Sequence, residues 1–258
     1  MNAHSEPKAV EPANEPQPRF LLTVRKWDVI DTLRRQHSLQ TMVQILTPAT
    51  GSDMHGRPEL AQFMSATTLM YASDLARDQI EAARSLPTLD ELMAAHLANS
   101  LKTELVFIDC WHSYDDSVQV LELALSMLPH GGFIVMHDCD PPDLEAAGPP
   151  PANCGELWCG DTWRAFVDFT TSLPSGCEWF VVESDFGVGV IRVMAPKRSR
   201  GRLRTKRVQP LARLAPEGYE AGWNWFVENR DAVLHPMSIA DWQRRANDST
   251  GVFVHYNR

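Results

Sequence analysis

Residues 105–139 read LVFIDCWHSYDDSVQVLELALSMLPHGGFIVMHDC. The run 105–108 (LVFI) is short and wholly apolar, as a strand buried on both faces must be. Residues 115–128 (DDSVQVLELALSML) have the spacing of an amphipathic helix, with Asp115 and Asp116 at the end where carboxylates complement the helix dipole. Pro129, His130, Gly131 and Gly132 stop that helix, and 133–136 (FIVM) repeat the buried-strand signal. Strand, helix, glycine turn and strand make a βαβ unit, which implies parallel strands and a right-handed crossover. The expected fold class is α/β, a doubly wound, mostly parallel sheet with helices on both faces.

Upstream, residues 27–39 place Trp27, Ile30, Leu33 and Leu39 at a mostly helical spacing, and 41–45 (TMVQI) are a strand candidate. A turn-rich stretch with Pro48, Gly51, Gly56 and Pro58 follows, and then 61–73, whose mixed apolar pattern fits no single element. Residues 87–101 look helical, with Thr88 as N-cap. Downstream, 141–160 form a long Pro/Gly loop of the kind that serves as a lid, and 161–171 are helical, with Trp163, Phe166, Val167 and Thr170 on one side. Residues 179–182 and 187–193 look like a terminal strand pair, and 223–246 like one or two short helices. The expected organisation is an N-terminal arm over 1–19, an α/β domain over 20–195, a basic loop over 196–210 and a helical extension over 211–258 packed on the domain.

A chain of 258 residues with 44% hydrophobic content can bury a sizeable core, which excludes wholesale disorder. No apolar run approaches the roughly 18 residues that span a bilayer, so no membrane association is expected. The net charge of −9 argues against nucleic acid as a partner. The first 19 residues are polar and proline-rich without an apolar signal core, and the five cysteines are sparse and odd in number. Both features point to reduced thiols and a cytoplasmic location. Residues 197–207 hold seven basic residues and no acid, a solvated loop or a contact for a phosphate-bearing partner.

In open parallel sheets ligands bind beyond the carboxyl ends of the strands. One such end runs into Asp109, Cys110, Trp111 and His112; the other runs into His137, Asp138, Cys139 and Asp140. Neighbouring strands lie about 4.8 Å apart, so Asp109 and Asp138 can converge. Two carboxylates beside an imidazole suit a divalent cation or a proton-transfer site; each Asp could equally cap a loop, but clustering at both ends favours chemistry. His112 is placed to act as a base or to bond a loop carbonyl. Of His137 and Asp138, strand alternation sends only one to the site, and Asp138 is favoured. Cys139, Cys154 and Cys159 allow a zinc reading, but the spacing is atypical and buried thiols are the plainer account.

The stretch 105–139 resembles D-L-(V/I)-F-(I/V)-D-x-x-H-(S/T)-Y … L-x-x-G-G-x-I-x-x-H-D-C of class I S-adenosylmethionine-dependent methyltransferases. Within that superfamily it is most similar to the group of cephalosporin-hydroxylase-like and macrocin-type O-methyltransferases. Residues 158–166 (WCGDTWRAF), 184–193 (SDFGVGVIRV) and 225–230 (WFVENR) extend the resemblance. It implies a Rossmann-like methyltransferase fold, S-adenosylmethionine as cofactor, a small hydroxylated acceptor, and optional assistance from Mg2+. Carried onto this sequence, it makes His112 and Asp109 catalytic and Asp109 and Asp138 metal ligands. Gln44, Thr47, Gly51, Asp74 and Asp109 become the cofactor-binding set. Gln44 then stands in an acidic place and Leu46 where glycine is expected, so Leu46 could block the cofactor. That departure keeps a second reading open, a non-catalytic relative with a degenerate cofactor loop. A metal-dependent hydrolase on the same carboxylates is a third. Acceptor identity and oligomeric state are not legible in the chain.

Overall fold

The computed structural model describes residues 24–48, 58–73, 77, 81–149, 158–174, 177–194, 213–248 and 252–253. The N-terminal arm, Gly51, Asp74, Cys154 and the basic run lie outside these residues. The first helix, α1 (Lys26–His37), starts where Asp28 turns back to accept the Arg25 backbone N–H at 2.7 Å. It ends at Ser38, which adopts a left-handed conformation after the basic last-turn residues Arg34, Arg35 and His37. Strand β1 (Thr41–Leu46) follows, then β2 (Ser65–Met70), which is the element hidden in the mixed pattern of 61–73. Helix α2 (Leu89–Asn99) has the expected Thr88 cap, completed by Glu91 in a reciprocal pair of hydrogen bonds.

The expected βαβ unit is present as β3 (Leu105–Asp109), α3 (Tyr114–Met127) and β4 (Phe133–Met136). After α4 (Thr162–Ser172) come β5 (Glu178–Val182) and β6 (Val188–Arg192), an antiparallel pair. The chain then forms α5 (Tyr219–Leu234), the two-residue β7 (Pro236–Met237) and α6 (Ile239–Ala246). The sheet order is β2-β1-β3-β4-β6-β5-β7, with β6 antiparallel to its neighbours and the other pairings parallel. The fold is thus the doubly wound, mostly parallel α/β sheet read from the sequence. The C-terminal segment does more than pack on the domain, because β7 joins the sheet beside β5.

Alternation of side chains along β1, β3 and β4 feeds two apolar layers. Val43, Ile45, Val106, Ile108, Ile134 and Met136 meet α2, α3, α4 and α5 on one face. Met42, Leu46, Leu105, Phe107, Phe133 and Val135 meet α1 and α6 on the other. Asp109, two residues after Phe107, therefore points to the α1 face as β3 leaves the core. No helix among the described residues is long and apolar enough to cross a membrane.

Between β5 and β6, Asp185, Phe186 and Gly187 all have positive φ. This turn clasps the segment after β4: Cys139 N–H donates to Gly187 O at 3.0 Å and Asp140 N–H to Phe186 O at 2.9 Å. A Cβ on Gly187 would come within 2.3 Å of the Asp140 nitrogen. Left-handed strain and overpacking act together there, so Gly187→Ala should destabilise the fold by roughly 2–4 kcal/mol. Chemical denaturation checks this, and an unchanged midpoint would show that the turn does not hold the 138–140 segment.

Candidate active site

The strand ends meet as the sequence implies. In the β3–β4 register Ile108 lies opposite Met136, and the His137 N–H donates to Ile108 O at 3.0 Å, so Asp109 and His137 are level. Strand alternation, which would send only one of His137 and Asp138 to the site, does not extend to this pair. The β4 strand stops at Met136, and Asp138 sits at φ 61°, in the left-handed region. That twist brings Asp138 to the side already faced by His137, and both reach the site.

Asp138 Oδ2 is 2.9 Å from His137 Nδ1 and 3.0 Å from His112 Nε2. Asp109 Oδ1 is 3.8 Å from His112 Nε2, and Asp109 Oδ2 is 3.8 Å from His137 Nδ1. His137 Nε2 lies 3.5 Å from Asp185. A group absent from the sequence reading completes the cluster: Lys26 Nζ donates to Asp109 Oδ2 at 2.7 Å, and its backbone N–H donates to Asp185 at 2.9 Å. Both sides of the Lys26–Asp109 pair are buried. Lys26 opens α1, which lies across the face that Asp109 points to, so the helix start aims the ammonium at the strand end.

The neighbouring segments fix the rest. Ser113 caps α3 by accepting the Asp116 N–H, which places His112 in the last residue before the helix cap. The lid candidate folds back here: Trp158 lies 5.2 Å from the His112 ring, and the Cys159 thiol donates to Asp138 Oδ1 at 3.4 Å. Cys159 is therefore engaged by the site's carboxylate, and the described cysteines are all free thiols. Neither Cys139 nor Asp140 completes a ligand set with Asp109 and Asp138. The Cys139 thiol turns back to the Met136 carbonyl. Asp140 is held by Arg230, whose Nε donates to its Oδ1 at 2.8 Å and whose Nη2 bonds its Oδ2. Arg230 also reaches Glu183 at 2.9 Å, tying α5 to the loops that carry the site.

The cofactor candidates separate. Gln44 lies inside β1, two residues behind Leu46, the residue level with Asp109. Its amide donates to Thr68 of β2 at 3.0 Å, so it is not gathered with the strand-end groups. Leu46 is committed to the apolar layer under α1, which removes it as the expected block in a cofactor crevice. Thr47 is fully buried directly after the strand. Gly51 and Asp74 fall outside the described residues.

Burial opposes charge on every group here, but the partners outweigh it. The Lys26 ammonium, then His112 and His137, hold the Asp109 carboxyl below the usual carboxylate range. His137 and His112 hold Asp138 well below it. Asp138 first, with Asp109 adding to it, lifts His112 to about 9 against the burial cost. The same carboxylate lifts His137 to about 10 despite burial and nearby Lys26. The cluster is thus a set of buried carboxylates neutralised by an ammonium and two imidazolium rings.

Residues 29–139 match the family model described as a methyltransferase domain, Methyltransf_24. That match includes residues 105–139, the stretch that carries the methyltransferase resemblance. The matched residues run through both strand ends and stop just after Asp138. Among solved structures, the chain is similar to an O-methyltransferase from Bacillus cereus in complex with SAH, at 17% identity and TM-score 0.41, covering 66% of this chain and 81% of that one. A putative O-methyltransferase from Klebsiella pneumoniae is 16% identical at TM-score 0.44, covering 66% and 80%. The O-methyltransferase TomG of Streptomyces achromogenes, involved in tomaymycin synthesis and in complex with SAM, is 14% identical at TM-score 0.39, covering 67% and 82%. Among curated proteins, none matches the chain.

A histidine whose folded pKa is raised contributes stability that is complete below its unfolded value and lost as pH rises through the folded value. For His112 that window runs from about 6.5 up to about 9. His112 should therefore contribute a fall on the order of 3 kcal/mol between those pH values, beside that of His137, and His112→Gln should lessen the total fall. Thermal unfolding across the pH series measures it; identical slopes in the two proteins would rule out His112 as the titrating group.

Proposed function

We propose that this protein is an S-adenosylmethionine-dependent methyltransferase that methylates a hydroxyl of a small molecule. The observation that carries this reading is the convergence of His112 with Asp109 and Asp138 at the ends of adjacent parallel strands, inside the stretch similar to methyltransferase domains. Both His112 ring nitrogens are buried without a hydrogen bond among the described residues, but Nε2 lies 3.0 Å from Asp138 Oδ2, which leaves Nδ1 as the atom open to a polar ligand.

S-adenosylmethionine, when bound, supplies the methyl group and the sulfonium that departs as a thioether. The chain's own residues have to orient the acceptor, take its proton and exclude water. His112 Nε2 faces the two carboxylates, so Nδ1 is the ring atom left to receive the acceptor's hydroxyl proton. As the oxygen forms its new bond to the methyl carbon, the proton passes to Nδ1, and Asp138 and Asp109 stabilise the resulting imidazolium. Trp158 and the returning 158–160 segment cover the ring. With a pKa of about 9, His112 must first release a proton to act as base. Catalysis limited by that step rises with pH and levels off near 9.

The divalent cation that the resemblance implies finds a poor fit. Asp109, His137 and Asp138 offer ligand atoms within 4.8 Å of one another, but the Lys26 ammonium already lies against Asp109 and two imidazoles lie against Asp138.

Calorimetry should detect binding of S-adenosylmethionine or its demethylated product, with about 2.7 kcal/mol of stabilisation at a hundredfold excess over Kd. Absence of binding at millimolar ligand would defeat the reading in favour of a non-catalytic relative. With a hydroxylated acceptor in hand, His112→Ala should lower kcat roughly 10²–10⁴-fold with the fold intact. Unchanged turnover would remove His112 from the chemistry.

A further inference from the structure

The ammonium of Lys26 stands where the methyltransferase resemblance calls for a metal ion. It lies 2.7 Å from Asp109 Oδ2, with the lysine side chain 8% and the carboxylate 3% exposed. This is a formed ion pair within the core and not a surface side chain folded over for convenience. The lysine is held at both ends, since its backbone N–H is bonded to Asp185 and its Nζ, besides pairing with Asp109, lies over the Phe107 ring, 5.9 Å from the ring centroid. The other carboxylate is equally occupied. Asp138 Oδ2 lies between His112 Nε2 and His137 Nδ1, and Asp138 Oδ1 accepts from the Cys159 thiol. His137 already turns Nδ1 to Asp138 Oδ2 at 2.9 Å, and its Nε2 lies 3.5 Å from Asp185 Oδ1.

A divalent cation seeking oxygen ligands at about 2.0–2.1 Å would have to enter beside this fixed ammonium. Repulsion between the two is strong at such separations in a site of low dielectric. We propose that Lys26 is the resident cation of this site: it holds Asp109 in place for His112 and keeps divalent metal out of the Asp109–His137–Asp138 cluster. Lys26 is a positioning residue in this scheme. The link to catalysis rests on the methyltransferase reading, whereas metal exclusion does not.

The experiment therefore measures metal and not turnover. Mn2+ is titrated into the full chain, without cofactor or acceptor, and followed by electron paramagnetic resonance and calorimetry. The wild type should show no specific submillimolar binding. Lys26→Gln removes the charge while keeping a polar group of similar length. It should bind one Mn2+ at least tenfold more tightly than wild type, and Asp109→Asn in that background should abolish the gain. Lys26→Arg should restore exclusion. Specific submillimolar binding by the wild type, lost in Asp138→Asn, would overturn the proposal. So would a folded Lys26→Gln protein with no gain in affinity. If that variant does not fold, the wild-type titration decides alone. Absence of S-adenosylmethionine binding would defeat the methyltransferase reading and leave this result standing.

Discussion

Two carboxylates at the ends of adjacent parallel strands cannot both stay charged in a buried site unless positive groups are brought to them. Asp109 and Asp138 impose that constraint. Leaving one buried charge without a partner costs about 3–5 kcal/mol, a large share of a domain's net stability. Lys26 comes from α1, His112 from the residue before the α3 cap, and His137 from the first residue after β4. Three separate elements are thus held to one point by electrostatics, and the sheet determines where that point lies. The same compensation makes the site chemically specific. A ring kept as imidazolium by two carboxylates already has the surroundings that a proton acceptor needs after it has done its work.

A second charged knot holds the segment that carries Asp138. Arg230 of α5 grips Asp140 through two nitrogens and reaches Glu183 after β5, while Gly187 allows the backbone of the β5–β6 turn to touch residues 139 and 140. The C-terminal part of the chain is therefore structural to the site, although among the described residues it contributes no group to the cluster around Asp109. Trp163 against Phe226, with ring centroids 4.4 Å apart, supplies the apolar side of the same docking.

What the sequence made legible follows from which signals are local. The strands β3 and β4 are runs of apolar residues bounded by polar ones, and their ends name Asp109, His112 and Asp138 directly. Strand β2 left no such mark. It is an edge strand with polar Ser65, Thr67 and Thr68, half exposed along its length, so neither alternation nor an apolar run distinguishes it. Motif position puts Gln44 in the acidic place of the cofactor set, whereas register with β3 places it two residues behind the strand end, paired to Thr68. Lys26 is separated from Asp109 by 83 residues, and nothing near it in sequence distinguishes it from any surface lysine at a helix start. Only the packing of α1 on the sheet face that Asp109 points to reveals its role.

The pair His137–Asp138 shows how a rule of local geometry fails at the place where function sits. Within a strand, successive side chains face opposite ways, and one of the two would have been lost to the apolar layer opposite. The chain escapes this by ending β4 one residue earlier and turning Asp138 into a left-handed conformation, which costs a non-glycine residue about 1–2 kcal/mol. That cost is offset by the two backbone hydrogen bonds to the Phe186 and Gly187 carbonyls and by the imidazoles that meet the carboxylate. The turn between β5 and β6 and the site are consequently one structural unit. Asp185 of that turn bonds the first residue of α1 while its neighbours hold the segment after β4. A change in the turn would reach Lys26 and Asp138 together, from opposite sides of the same carboxylate cluster.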